Sequence, residues 1–227
     1  ARSASPTWGP DVEINHNPRD IRTQLYGLTK YRELFTPRQL VALTTFSDLV
    51  SAAIEKCRQD ALLSGVAEDF DEDGRPRGLE VGGSGATAYS QAIGVYLAIV
   101  IDRLTDYNST LCTWHVGGPT TGTKGRNTFS RQALPMTWDF LEVNILSEQS
   151  GSLVNSLDYT TKSIASLGNS TLKQGACFQA DAQSQVISAK KVVSTDPPYY
   201  DNIGYADLSD YFYVWLRKSL RNIFPDL

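Results

Sequence analysis

A Thr-Pro pair followed by a long helical stripe constrains this chain more than any other feature. After Thr36-Pro37, apolar residues recur at Leu43, Phe46, Val50, Ile54, Cys57 and Ala61. Steps of three and four place them on one face of a helix, with Thr36 as N-cap and Pro37 at the first helical position. Gly65 ends the run. A helix this long must bury its stripe against other elements. A second helix opens at Gly82-Gly83-Ser84-Gly85, with Tyr89, Ile93, Tyr96, Leu97, Val100 and Leu104 as its apolar face. A last helix over about 207–223 carries Leu208, Tyr211, Phe212, Trp215, Leu216 and Leu220. Shorter helices are expected over about 136–146 and 150–167.

Between and around these lie less regular stretches. Residues 1 to about 20, rich in proline, read as a partly loose lead-in that extends to about residue 35. Residues 108–135 read as polar and irregular. Ala176–Ala180 and Lys191–Thr195 are short apolar runs that fit buried strands. The acidic stretch from Glu68 to Gly74 lacks the ordered ligand spacing of a calcium loop and reads as a solvated turn.

Charge and composition narrow the function. The 227 residues carry 21 Lys plus Arg and 25 Asp plus Glu, a net charge of −4. That argues against a protein that coats nucleic acid, though not against local contact with it. Three scattered cysteines and two histidines supply no CxxC pair and no His-rich cluster, so no metal is expected. No run is long and apolar enough to span a membrane, and the reading is cytoplasmic. Gly82–Gly85 is read as a helix entry, since no Lys-Ser/Thr follows to make a phosphate loop. An amide nest for a small anion is the alternative.

The chemistry concentrates at Asp196-Pro197-Pro198-Tyr199, directly after the Val-rich run. Chance places this tetrapeptide in roughly one in a thousand chains of this length. The carboxyl end of a strand is also where open α/β sheets bind ligands. An exocyclic amine is a poor nucleophile because its lone pair is delocalised into the ring. The carboxylate of Asp196 and the carbonyl of Pro197 can each accept one of its N–H groups and favour a pyramidal, attacking nitrogen. Consecutive prolines hold the loop's carbonyls in place. Tyr199 can stack on the base, a contact worth about 1–3 kcal/mol in single-strand readers. In a duplex, that base must first be flipped out. Lys124, Arg126 and Arg131, flanking Asn127 and Phe129, form a candidate DNA-contacting loop.

This motif resembles the catalytic motif of S-adenosylmethionine-dependent amino methyltransferases acting on adenine N6 or cytosine N4. The segments Leu34–Leu40, Asp106–Ser109, Asn127–Met136 and Asp196–Leu216 look like one family, the large bacterial adenine-specific DNA methylases with a zinc-ribbon-like insert. The resemblance implies an α/β, helix-rich chain, an incomplete Rossmann-like methyltransferase fragment with a helical insertion. Residues 1–35 would be the lead-in, 36–170 the insertion and 171–227 the catalytic-side part. It implies S-adenosylmethionine as cofactor, with Asp181 at the position where such enzymes place an acid near the cofactor's adenine. A flipped adenine in DNA would be the partner. The family's glycine-rich cofactor loop and zinc-ribbon cysteines have no match here, so the missing amino-terminal part of the same protein is expected to supply the cofactor loop and two intervening strands. Left without them, the two late strands are expected to pair non-natively, to swap with another copy, or to be poorly ordered. Cytosine N4, RNA or protein glutamine remain alternative acceptors, and a non-catalytic interaction module in a defence assembly is a further alternative.

Overall fold

The computed structural model describes residues 5–117, 122–167, 175–197, 200 and 202–226. Helix α1 spans Pro37–Leu63 and starts as its sequence predicts. Thr36 Oγ1 accepts from the Gln39 amide at 3.3 Å, and Gln39 Oε1 accepts from the Thr36 amide at 2.8 Å. Together these two bonds make a reciprocal capping box. Gly65, at φ +88°, supplies the left-handed residue that turns the chain away.

Helix α2, Ala86–Tyr107, follows the glycine-rich run, but its N-terminal cap comes from elsewhere. Glu68 Oε2 accepts from the Thr87 amide at 2.8 Å, and Asp69 Oδ2 accepts from the Ser84 amide at 3.0 Å. Two carboxylates from the acidic stretch thus occupy the positive end of the helix. The amide nest considered for this run already has its anion. The buried face of α2 keeps Val100 and Leu104 of the predicted one but is shifted toward smaller residues. Gly94, Ala98, Ile101 and Leu104 turn inward, while Tyr89 and Tyr96 are exposed. The small residues win because α1 passes close. A Cβ at Gly94 would stand 2.5 Å from Ile54 Cδ1.

Helices α3 (Leu153–Leu167) and α4 (Tyr205–Leu220) complete the helical set, with α2 packed against α1, α3 and α4. The stretch expected to be irregular contains a hairpin instead. Strand β1, Thr113–Val116, pairs antiparallel with β2, Thr123–Arg126, in the register Thr113↔Arg126 and His115↔Lys124. The described chain is therefore α/β and helix-rich, with one two-stranded sheet among the described residues.

The core joins the amino-terminal segment to the helices. Ile14, Ile21, Tyr31 and Leu34 from the lead-in pack with Leu40, Leu43 and Val50 of α1, Leu104 of α2, Leu134, and Leu208, Tyr211 and Trp215 of α4. The lead-in is not loose. Its residues 10–14 run beside 29–32, through Tyr31 N to Val12 O at 3.1 Å and Arg32 N to Pro10 O at 3.0 Å. Helix α4 docks through aromatic rings, with Phe35 and Phe129 against Tyr211 and both Phe35 and Trp8 against Trp215.

Two other expectations give way. Residues 136–146 form no helix. Their polar groups go to tertiary partners, Leu141 N to Cys112 O at 3.0 Å and Thr137 Oγ1 to Leu111 O at 3.4 Å. Ala176–Ala180 and Lys191–Thr195 form no strands. Phe178, Val192 and Val193 are exposed, because among the described residues nothing covers either face of these runs. A parallel-sheet strand needs a neighbouring strand to pair with and helices over its faces. No described helix is long and apolar enough to cross a membrane.

Candidate functional site

The tetrapeptide sits on the approach to α4. Asp196 and Pro197 are exposed, and Pro198 and Tyr199 lie outside the described residues. Tyr200, immediately after the motif, is exposed and left-handed at φ +56°, a conformation unfavourable for a bulky side chain. The loop is then pinned where it enters the helix. The Gly204 amide donates to Asp20 Oδ2 at 2.9 Å, and Asn17 Nδ2 donates to Asp20 Oδ2 at 3.2 Å and to Asp207 Oδ2 at 2.9 Å. Asn15 Nδ2 reaches Asp210 Oδ2 at 2.7 Å. A Cβ at 204 would displace the ends of the Asn17, Asp207 and Asp20 side chains that make this network.

Asp20 was not among the residues singled out from sequence, yet it fixes the carboxyl end of the motif loop. Burial pushes its carboxyl up, but the Gly204 amide, Arg19 and Asn17 outweigh this and hold it below the usual range. Asn17-Pro18-Arg19-Asp20 carries the turn chemistry that could have marked it. Asp20→Ala is expected to lower stability by about 2 kcal/mol, because it strands the Gly204 amide and leaves the Asn17 side chain only Asp207 and the residue-20 amide. The loss should shrink as pH falls through the folded carboxyl's titration, a dependence that denaturant unfolding at pH 7 and pH 3 would measure.

The segments carrying the family resemblance converge. The Thr110 amide donates to Leu34 O at 2.8 Å, which ties the 106–109 turn to 34–40. Asp106 Oδ2 accepts from Asn127 Nδ2 at 2.7 Å and its Oδ1 from the Phe129 amide at 3.0 Å, which ties that turn to 127–136. Burial pushes the Asp106 carboxyl up, opposed by the Phe129 amide, Asn127 and Arg103. Phe129 and Phe35 then meet Tyr211, whose hydroxyl donates to Thr105 O at 2.7 Å. Tyr211 is where the four segments join.

The basic residues fall on and beside the hairpin. Lys124 and Arg126 share one face of β2, two residues apart, and both are exposed. Arg126 Nη2 donates to His115 Nδ1 at 2.7 Å, so His115 carries its proton on Nε2. Arg131 is exposed in the loop that follows β2.

Asp181 is exposed and turned on its own loop, where its Oδ1 accepts from the Gln183 amide at 2.9 Å. Residues 176–182 and 185–194 face one another across an open hollow of about 540 Å³, lined by Phe178, Ile187, Val192 and Val193 among others. No carboxylate lines it, so these residues by themselves do not fit S-adenosylmethionine, which needs an acceptor for its ribose and one for its amine. Among the described residues no group of His, Cys, Asp or Glu could hold a metal ion. Compared with protein-family models, with curated proteins and with solved structures, the chain finds no match in any of the three.

Proposed function

We propose that this chain is the target-base side of an amino methyltransferase acting on adenine N6 in DNA, its Rossmann-like sheet completed by the preceding part of the same polypeptide. The observation that carries this is Asp196-Pro197-Pro198-Tyr199 leading directly into α4, which is pinned by Asp20 at Gly204 and packed at Tyr211 against the other segments of the resemblance. The anchor at Gly204 fixes where the loop's carboxyl end enters α4. Asp196 and the Pro197 carbonyl take the two N–H groups of the target amine, and Tyr199 stacks on the flipped base. S-adenosylmethionine would supply the methyl group. The exposed Val192 and Val193 fit strand positions that only an added sheet would cover. Lys124, Arg126 and Arg131 fit phosphate contacts, which position a duplex without reading its sequence.

Asp196 is exposed, so replacing it leaves the fold intact. In the full-length polypeptide, Asp196→Ala is expected to cut methyl incorporation into duplex DNA by about a hundredfold or more. Labelled S-adenosylmethionine with duplex DNA, RNA and protein acceptors checks both the residue and the acceptor. Undiminished transfer by Asp196→Ala would remove the assignment.

A further inference from the structure

A second cavity, lined by no motif residue, lies between the amino-terminal segment and the outer face of α4. Its volume is about 370 Å³, at the small end of the roughly 300–1,000 Å³ of ligand pockets. Residues 8–13 form one wall, α4 forms the other from Asp210 to Lys218, continued by Arg221, and Tyr31 lies at its floor.

The charges along it are separated. At one end Asp210, Asp11 and Glu13 present carboxylates. Asp11 is already paired with Lys30 at 2.9 Å and Arg32 at 3.6 Å, and Asp210 accepts from Asn15 at 2.7 Å. At the other end stand Arg217, Lys218 and Arg221. Lys218 reaches Asp48 only at 4.0 Å and lies over the Trp8 ring at 5.2 Å. Arg217 and Arg221 are exposed and have no ion-pair partner among the described residues. Asp210 and Arg217 are two turns apart, or about 10 Å along the helix axis.

Between the two ends stands an aromatic face. The ring of Trp8 is taken up by Lys218 and Trp215, but Tyr213 is exposed and stacks on no other ring among the described residues. Tyr31 lines the floor with its ring, while its hydroxyl is fully buried beneath the cavity and has no hydrogen-bond partner. The cavity therefore offers unpaired cations at one end, a free ring in the middle and carboxylate acceptors at the other. The ligand that matches has an anion, a planar ring and N–H or O–H donors in that order.

We propose that this cavity binds a nucleoside monophosphate unit, its phosphate on Arg217 and Arg221, its base on Tyr213, and its amine or ribose hydroxyls toward Asp210 and Glu13. The unit is either a free mononucleotide or one unstacked nucleotide of a single strand, which offer the same chemistry. The site is independent of the methyl-transfer reading, because it begins one and a half turns into α4 and uses none of the motif residues.

Calorimetric titration of the chain with adenosine monophosphate, adenosine, inorganic phosphate and a short oligothymidylate tests it. Binding of the monophosphate is expected, weakened about tenfold or more by Arg217→Ala/Arg221→Ala and severalfold by Tyr213→Ala. All three positions are exposed, so these variants keep the fold, which circular dichroism checks. Tighter binding of the oligothymidylate assigns a strand and tighter binding of the monophosphate a free nucleotide, and either upholds the site. Absence of monophosphate binding at millimolar concentration overturns the proposal. Phosphate binding as tightly as the nucleotide also overturns it, as does a double variant that binds like the parent chain.

Discussion

Trp215→Ala is expected to lower the stability of this chain by about 4 kcal/mol, while Trp215→Phe should cost about 1 kcal/mol. Trp215 is fully buried and touches Trp8 and Phe35, each with ring centroids 5.4 Å away. It is therefore the pin that holds both the amino-terminal segment and the 34–40 segment against α4. Removing its side chain leaves a cavity bounded by three elements that cannot all close in together. Phenylalanine keeps most of the contact and also removes the indole N–H, which is buried with no hydrogen-bond partner. Relief of that unmet donor, worth about 1–3 kcal/mol, offsets much of the lost volume. Urea unfolding of the two variants measures the difference. Equal losses would mean that a phenyl ring recovers none of the indole's contacts, and would overturn this account.

Asp102→Asn is expected to stabilise the chain by about 2 kcal/mol at pH 8 and to leave it nearly unchanged at pH 4. Asp102 lies on α2 with its Oδ1 fully buried and without a partner, and burial pushes its carboxyl up to about 8. The neighbouring Arg103 does not neutralise it, because its guanidinium stacks on Tyr159 at 4.2 Å and lies 5.7 Å from the Tyr107 ring. In the unfolded chain the group titrates near pH 4. Between about pH 4 and 8 the folded state therefore holds a proton that the unfolded state has released, and stability falls as pH rises through that window. A shift of about four pH units corresponds to about 5–6 kcal/mol if fully expressed. Local hydration around a side chain that is only partly covered reduces this to about 2 kcal/mol. Asparagine cannot ionise, so the slope should flatten in the variant. Melting temperatures at pH 5, 6.5 and 8 would show it, and parallel curves for both proteins would refute it.

The sequence carried the parts of the fold that depend on local chemistry. Thr36-Pro37 with Gln39, and the spacing from Leu43 to Ala61, specify α1, because cap and stripe both lie within the helix itself. Leu208, Tyr211 and Trp215 likewise mark the buried face of α4, where large aromatic residues at helical spacing leave little choice. The hairpin was written more faintly, in the alternation of Thr113-Trp114-His115-Val116, and the glycines that follow masked it. The chemistry of Asp196–Tyr199 is legible for a similar reason, since an acid and two consecutive prolines make a distinctive local word.

What sequence could not supply was which distant groups answer one another. The shift of α2's buried face toward smaller residues is decided by Ile54 pressing on Gly94, a contact across two helices that no periodicity within α2 encodes. The capping of α2 by Glu68 and Asp69 makes an acidic turn structural, although the same residues read alone suggest only solvent. Asp20 meets Gly204 across 184 positions, so its role in pinning the motif loop exists only once the lead-in has folded onto α4. The apolar runs at 176–180 and 191–195 show the reverse. Their composition suits strands, but a strand is a relation between chains of backbone, and the described residues offer no partner to complete it.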